Sequence, residues 1–132
     1  MTARALGSFE VTSWNETTYS DLEGGGKLTR ASVRQAFTGG MEGEGTVEWL
    51  MCYRADGTAS WCGLQRVDGR VGERSGSLVL QVSGTFDGAE ARGTWQVIPG
   101  SGTGQLQGLR GSGEMTAPHG STASFSLEYD FE

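Results

Sequence analysis

Several residue types that carry chemistry are scarce in this sequence of 132 residues, which contains two cysteines, two prolines and one histidine. With so few nitrogen and sulfur ligands the chain lacks a zinc-binding set, and we predict no metal site. Two prolines exclude a proline-rich linker and a collagen-like chain. No apolar run follows a basic start at the N-terminus, and none approaches the length of a transmembrane helix. We therefore expect a cytoplasmic protein with no signal peptide and no membrane partner.

Positive charge is also in short supply. Ten Lys and Arg residues stand against 16 Asp and Glu residues, for a net charge of −6, which disfavours a nucleic-acid partner. Glycine, by contrast, is abundant with 23 residues, and the four Trp, five Phe and three Tyr argue against a disordered chain. The length predicts a single domain over residues 1–132 with a genuine core.

Apolar and polar residues alternate with a period of two along most of the chain, which is typical of half-buried β-strands. The polar segment 16–26 is predicted to be a loop. Eight successive strands with short connections predict an all-β fold, an eight-stranded antiparallel up-and-down barrel whose closure removes both sheet edges. The predicted strands are 3–15, 27–38, 42–54, 58–68, 75–86, 89–98, 103–117 and 121–131.

The two cysteines flank a predicted hairpin turn that ends at Gly57. A type I turn with Gly57 as a G1 bulge would place Cys52 opposite Ser60 and Cys62 diagonally across from Cys52. That separation permits a disulfide only with some backbone adjustment, and a reducing compartment favours free thiols.

The hairpin register also sets Met51 opposite Trp61, and Trp49 opposite Gly63. We predict that the apolar faces of the strands point inward. The barrel interior would then contain six aromatic side chains and one methionine: Trp49, Met51, Tyr53, Trp61, Trp95, Phe125 and Tyr129. The polar groups in phase with that face are few: Ser13, Asn15, Gln65 and the phenols of Tyr53 and Tyr129. Two interpretations stay open: these side chains line a pocket for a small apolar molecule, or they fill the barrel.

Charged residues in the strands have the opposite phase, and we expect them on the outer surface: Glu44, Glu48, Glu128 and Asp130. A bulge would turn Glu44 or Glu48 inward, where burial would raise its pKa. His119 follows a proline in a turn and is expected at the surface. An apolar band on the outer side of the third and fourth strands favours a homo-oligomer, and its members are Leu50, Cys52, Cys62 and Leu64.

Several segments together resemble a bacterial family of unknown function. They are 5–16 (ALGSFEVTSWNE), 27–32 (KLTRAS), 43–51 (GEGTVEWLM), 93–104 (GTWQVIPGSGTG), 109–111 (LRG) and 127–130 (LEYD). That family is similar in fold to allene oxide cyclase, with dirigent proteins as more distant relatives. The resemblance implies an eight-stranded barrel with an internal pocket, often oligomeric and working without a cofactor. Of the Glu-x-Asn pattern in the first strand of the cyclase, this chain retains Asn15 and carries Ser13 in place of the glutamate.

These observations lead to one functional hypothesis and two alternatives. The first is a barrel that binds a small, largely apolar molecule and isomerises or cyclises it by confinement and hydrogen bonding, without a cofactor. Its candidate catalytic residues are Asn15, Tyr53 and Tyr129, and its candidate ligand-binding residues are Trp49, Met51, Trp61, Gln65, Trp95 and Phe125. The alternatives are a non-catalytic carrier or sensor with the same pocket, and a closed-core protein that acts through its oligomer surface.

Overall fold

The computed structural model describes residues 2–118 and 122–132, which form eight β-strands and one short 3-10 helix. His119 lies outside the described residues, so its predicted surface position is not addressed. The strands are β1 (Ala3–Asp21), β2 (Lys27–Gly39), β3 (Met41–Tyr53), β4 (Ala59–Val71), β5 (Arg74–Phe86), β6 (Glu90–Val97), β7 (Leu109–Pro118) and β8 (Ala123–Phe131), and the 3-10 helix spans Gly104–Leu106.

Each strand pairs antiparallel with the next, and β8 pairs with β1, so that the sheet closes into an eight-stranded barrel as predicted. The alternation of apolar and polar residues determines which side chains lie inside the barrel and which lie on its surface. In β2, Ala31, Val33 and Phe37 are buried, whereas Ser32 and Arg34 between them are exposed. Period-two alternation therefore sorts side chains between the barrel interior and the solvent.

Most predicted strand limits hold within three residues, and the predicted hairpin register is confirmed. The Arg54 amide donates to the Thr58 carbonyl at 2.8 Å, and Cys52 pairs with Ser60. Both cysteines carry free thiols, with Cys62 exposed.

Two predicted boundaries are wrong. The segment 16–21 is strand and not loop, because it continues the β1 ladder until Asp21 pairs with Lys27. The seventh strand begins at Leu109 and not at 103, because Gly104–Leu106 turns into the 3-10 helix instead.

A β-bulge at Thr12 inverts the alternation of β1. Val11 pairs with Gln35 while Ser13 pairs with Arg34, so Thr12 is an extra residue without a partner in β2. Phe9 faces inward before the bulge, whereas Ser13 and Asn15 after it pair with the exposed Arg34 and Ser32 and so face outward. The expected inward position of these two polar residues is therefore wrong, since the bulge moves the side chains that follow it to the other face, as far as a second irregularity at Tyr19.

The bulge turns Trp14 and Glu16 inward instead. Trp14 pairs with the buried Val33, and Glu16 pairs with the buried Ala31. Residues directly opposite one another in a ladder point to the same side of the sheet. Glu16, which the sequence placed in a loop, thus belongs to the interior face of the barrel.

The 3-10 helix closes one end of the barrel. Its Leu106 is fully buried, in a cluster with Met41, Val71 and Leu109. Just before the helix, the amide N–H of Thr103 donates to the Ser77 carbonyl at 2.9 Å. This hydrogen bond holds the segment between β6 and β7 against β5. We call this the plugged end; the opposite, open end contains Trp14, Tyr53 and Ala59.

The outer surface carries a series of arginine–carboxylate pairs between neighbouring strands. Arg4 contacts Glu128 at 2.6 Å, Arg30 contacts Glu48 at 3.1 Å, Arg34 contacts Glu44 at 3.6 Å, and Arg110 contacts Asp130 at 2.9 Å. The four carboxylates that the sequence placed outside are therefore outside. Such exposed pairs each contribute at most about 1 kcal/mol, so the core carries the stability.

The contrast between inner and outer leucines gives a test of this packing. Leu80 in β5 is fully buried, whereas Leu64 in the neighbouring strand β4 is 57% exposed. We expect Leu80→Ala to lower the free energy of unfolding by about 3 kcal/mol, through lost burial and a residual cavity. The control Leu64→Ala should change it by less than about 0.5 kcal/mol. Urea denaturation followed by tryptophan fluorescence measures both, and equal losses would contradict the inward orientation of β5.

Candidate functional site

A cavity of about 790 Å³ opens at the end of the barrel opposite the 3-10 helix. Aromatic and small apolar side chains dominate its wall, with one carboxylate at the edge. The lining residues are Phe9, Glu10, Val11, Trp14, Trp49, Met51, Tyr53, Ala59, Trp61, Phe86, Ala91, Met115, Ala117, Thr122 and Ala123.

Three tryptophans form a continuous wall of this cavity. Trp14 meets Trp49 edge-to-face with ring centroids 5.4 Å apart, and the centroids of Trp49 and Trp61 are 6.1 Å apart. Glycines make room for the rings: a Cβ at Gly63 would lie 2.9 Å from Cδ1 of Trp49, and one at Gly84 would lie 2.5 Å from Cζ2 of Trp61. The space at these glycines is therefore used by the indole rings themselves.

A hydrogen-bonded cluster lies at the rim of the cavity around Glu16. Its carboxylate accepts from Nε1 of Trp14 at 3.0 Å, from the hydroxyl of Thr29 at 2.6 Å and from the phenol of Tyr53 at 2.7 Å. The bulge at Thr12 is what brings the carboxylate to these three donors. We call Glu16, Trp14, Thr29 and Tyr53 the rim cluster.

The rim cluster fixes the ionisation of its two titratable groups. Partial burial raises the pKa of Glu16, but the hydrogen bonds from Thr29, Tyr53 and Trp14 and the charge of Lys27 outweigh it, so that this pKa lies below its ordinary value. Burial, together with the neighbouring Glu16 carboxylate, raises the pKa of Tyr53 well above its ordinary value. At neutral pH the pair is a carboxylate and a neutral phenol.

Two donors in the cavity wall have no partner. The indole N–H groups of Trp49 and Trp61 are buried and make no hydrogen bond within the part of the chain that the structure describes. A buried donor without an acceptor costs about 1–3 kcal/mol, and an occupant that brought an acceptor within reach of these rings would remove this cost.

The predicted ligand-binding residues fall into two groups. Trp49, Met51 and Trp61 line the cavity. The other three are buried deeper in the barrel and do not line it. The ring centroids of Trp95 and Phe125 are 5.5 Å apart, and Nε2 of Gln65 donates to the side-chain oxygen Oε1 of Gln35.

The three predicted catalytic residues do not come together. Tyr53 lies at the rim, but Asn15 points to the outer surface because of the bulge. Tyr129 faces the interior near the plugged end, where it packs against Phe131 and pairs with Ala3 and Gly111. Tyr53 and Tyr129 thus share the inner face but lie at opposite ends of the barrel.

Sequence reasoning missed Glu16, Trp14 and Thr29. The regular phase of β1 places Trp14 outside, Glu16 begins the predicted loop, and nothing in the segment VTS marks Thr12 as the extra residue. Thr29 lies two residues before Ala31 in β2 and therefore on the same buried face as Ala31 and Val33. Its hydroxyl was predictably buried and in need of a hydrogen-bond partner, which could have pointed to the site.

Over residues 2–118 and 122–132 no group of three or more His, Cys, Asp or Glu side chains is arranged to hold a metal ion. No helix in the described ranges has the length and apolar character needed to cross a membrane.

The closed antiparallel barrel, plugged at one end and hollow at the other, defines the class of protein as a small β-barrel with an apolar end cavity. Residues 5–129 match the model of a family described as protein of unknown function (DUF3224), and the chain belongs to that family. A crystal structure of a DUF3224 protein of unknown function from Shewanella oneidensis MR-1 is similar, with 28% identity, a TM-score of 0.81, and coverage of 100% of this chain and 99% of the other. No curated protein shows significant similarity to the chain.

The hydrogen bonds of the rim cluster predict that the pKa of Glu16 depends on the phenol of Tyr53. Removing the phenol in Tyr53→Phe takes one of three donors from the Glu16 carboxylate, so we expect the pKa of Glu16 to rise. Carboxyl-carbon NMR titration of selectively labelled protein measures it. Tyr19→Phe, at an exposed tyrosine in the same strand as Glu16, is the matched control and should leave that pKa unchanged. An unchanged pKa in Tyr53→Phe would show that the phenol does not stabilise the carboxylate.

Proposed function

We propose that this protein binds a small, largely apolar molecule in the open-end cavity. The observation that carries the proposal is the cavity itself, about 790 Å³ in volume and lined mainly by aromatic and small apolar side chains. Ligand sites are typically cavities of about 300–1,000 Å³ with apolar walls and a few placed polar groups. The rim cluster provides those polar groups at one edge.

The ionisation of the rim cluster argues against proton transfer as the main chemistry. A general base works best with a pKa near the operating pH, whereas hydrogen bonds hold the pKa of Glu16 below its ordinary value. Tyr53 is a still weaker acid than a free phenol. These two shifts favour a carrier or sensor over an enzyme of acid–base type.

Isomerisation or cyclisation by confinement is the second candidate, because it needs a shaped cavity and no proton-transferring group. Rigid aromatic walls such as the Trp14–Trp49–Trp61 row can hold a flexible molecule in one reactive conformation. Such a reaction requires no cofactor, in line with what the resemblance to allene oxide cyclase implies.

Filling the cavity tests the binding site. Ala91 lines the cavity, whereas Thr94 in the same strand is exposed on the outer face. We expect Nile red, a neutral apolar dye, to bind one molecule per barrel and to quench tryptophan fluorescence. Ala91→Phe should weaken this binding at least about tenfold because the added ring occupies the cavity, which corresponds to about 1.4 kcal/mol.

The matched control Thr94→Phe should bind the dye like the unaltered protein. Circular dichroism of both variants checks that the barrel is intact. Equal dye affinity in Ala91→Phe and Thr94→Phe would place dye binding elsewhere and overturn the proposal.

Small molecules extracted from the purified protein separate the two candidates. The extract is added back to protein freed of ligand and is followed by chromatography with mass detection. We expect recovery of the same compound, as a carrier requires. A new compound of identical mass, absent without protein, would show that the barrel is an isomerase or cyclase.

A further inference from the structure

We propose that the cavity prefers apolar molecules with a cationic head group over apolar carboxylates, a specificity that rests on the ligand binding proposed above. The apolar body would occupy the cavity, and the head group would lie at the rim, between the Glu16 carboxylate and the rings of Trp14 and Tyr53.

The first argument is the sign of the charge around the cavity. Glu10 is the one charged residue among the lining residues that the structure describes, at the outer edge of the opening where it pairs with the exposed Ala36, and Glu16 adds an inward-facing carboxylate at the rim. No arginine, lysine or histidine among the described residues lines the cavity. An entering carboxylate could accept from the neutral indole N–H groups of Trp49 and Trp61, but it would lose hydration without gaining a positive partner inside, whereas a cation would meet favourable charge.

The second argument is that Glu16 differs from the carboxylates of the outer face. Glu44, Glu48 and Glu128 each contact an arginine. Within the described residues Glu16 has no cationic group within 4.0 Å, and its three hydrogen-bond donors are all neutral. Its negative charge is therefore stabilised by hydrogen bonds but not neutralised by a direct ion pair, and it stays available to a cation.

The third argument is the aromatic surroundings of that charge. Trp14 and Tyr53 both donate to Glu16, and Trp14 continues the aromatic row to Trp49 inside the cavity. The face of an aromatic ring attracts a cation within about 6 Å of its centroid, most strongly where water is excluded. A carboxylate beside such rings recognises alkylammonium groups, which carry apolar surface and positive charge together.

The chain itself shows this attraction at the edge of the rim cluster. The ammonium of Lys27 lies 5.2 Å from the centroid of the Tyr53 ring, and the two residues face each other at the start of β2 and the end of β3. An alkylammonium ligand would use the same ring. Lys27 would therefore repel the ligand head and weaken its binding.

Calorimetry with three probes of equal chain length tests the preference: decyltrimethylammonium and decanoate, each below its micellar concentration, and decanol below its solubility limit. We expect the ammonium to bind at least about tenfold more tightly than decanoate, with decanol between them. Glu16→Gln, which preserves the shape of the side chain, should cost the ammonium about tenfold in affinity and leave decanol unchanged. Lys27→Met should strengthen ammonium binding.

Glu48→Gln is the matched control, because Glu48 is an outer carboxylate that also accepts from neighbouring strand residues, Ser32 and Arg30. It should alter the affinity for none of the probes. Decanoate or decanol binding as tightly as the ammonium, or an ammonium affinity indifferent to Glu16→Gln, would overturn the charge preference while leaving the cavity as the binding site. Failure of all three probes to bind would overturn the preference together with the proposed function.

Discussion

The hydrogen-bonded ladder that closes β8 onto β1 is the constraint on which the rest of this structure depends. Closure gives every strand a concave and a convex side, and the period-two alternation then decides which side chains enter the barrel. Inside, the side chains fall into three levels. Leu106 and its neighbours seal one end, and Phe9, Phe37, Trp95 and Phe125 fill the middle. At the other end alanines such as Ala59, Ala91 and Ala117 leave room for a cavity beside the tryptophans.

The sequence patterns predicted well whether most side chains point into the barrel or out of it, but they predicted poorly where along the barrel axis a side chain lies. Alternation identified the strands, and the turn at Gly57 fixed the register that sets Met51 opposite Trp61, because local backbone geometry determines both. Tyr53 and Tyr129 were predicted to act at one site although they lie at opposite ends of the barrel. The position of a residue along the barrel axis depends on the registers of all eight strand pairs, which the sequence does not specify. Asn15 was assigned to the wrong face because a bulge leaves no side-chain signature in the sequence.

The same bulge decides the chemistry of the open end. Without the bulge, with Thr12 taking an ordinary place in the alternation, Asn15 would face inward, and the carboxylate of Glu16 would lie outside among the arginine pairs. With it, an ionised carboxylate rests against Tyr53 and Trp14, where neutral donors hold it in place. The bulge thus exchanges an amide for a charge at the rim, and the second irregularity of the strand, at Tyr19, lies beyond Glu16.

The C-terminal part of β1, residues 14–21, also affects how copies of this protein can associate. The ladder with β8 covers Ala3–Phe9, so within the described residues the segment 14–21 pairs with β2 alone and offers a sheet edge to other chains. Exposed edges invite intermolecular strand pairing and aggregation. Here one bulge, at Thr12, directly precedes the edge, a second, at Tyr19, interrupts it, and the edge carries the inward-facing charge of Glu16. An approaching strand would find no continuous register, so the irregularities that shape the rim also protect the barrel against fibril-like association.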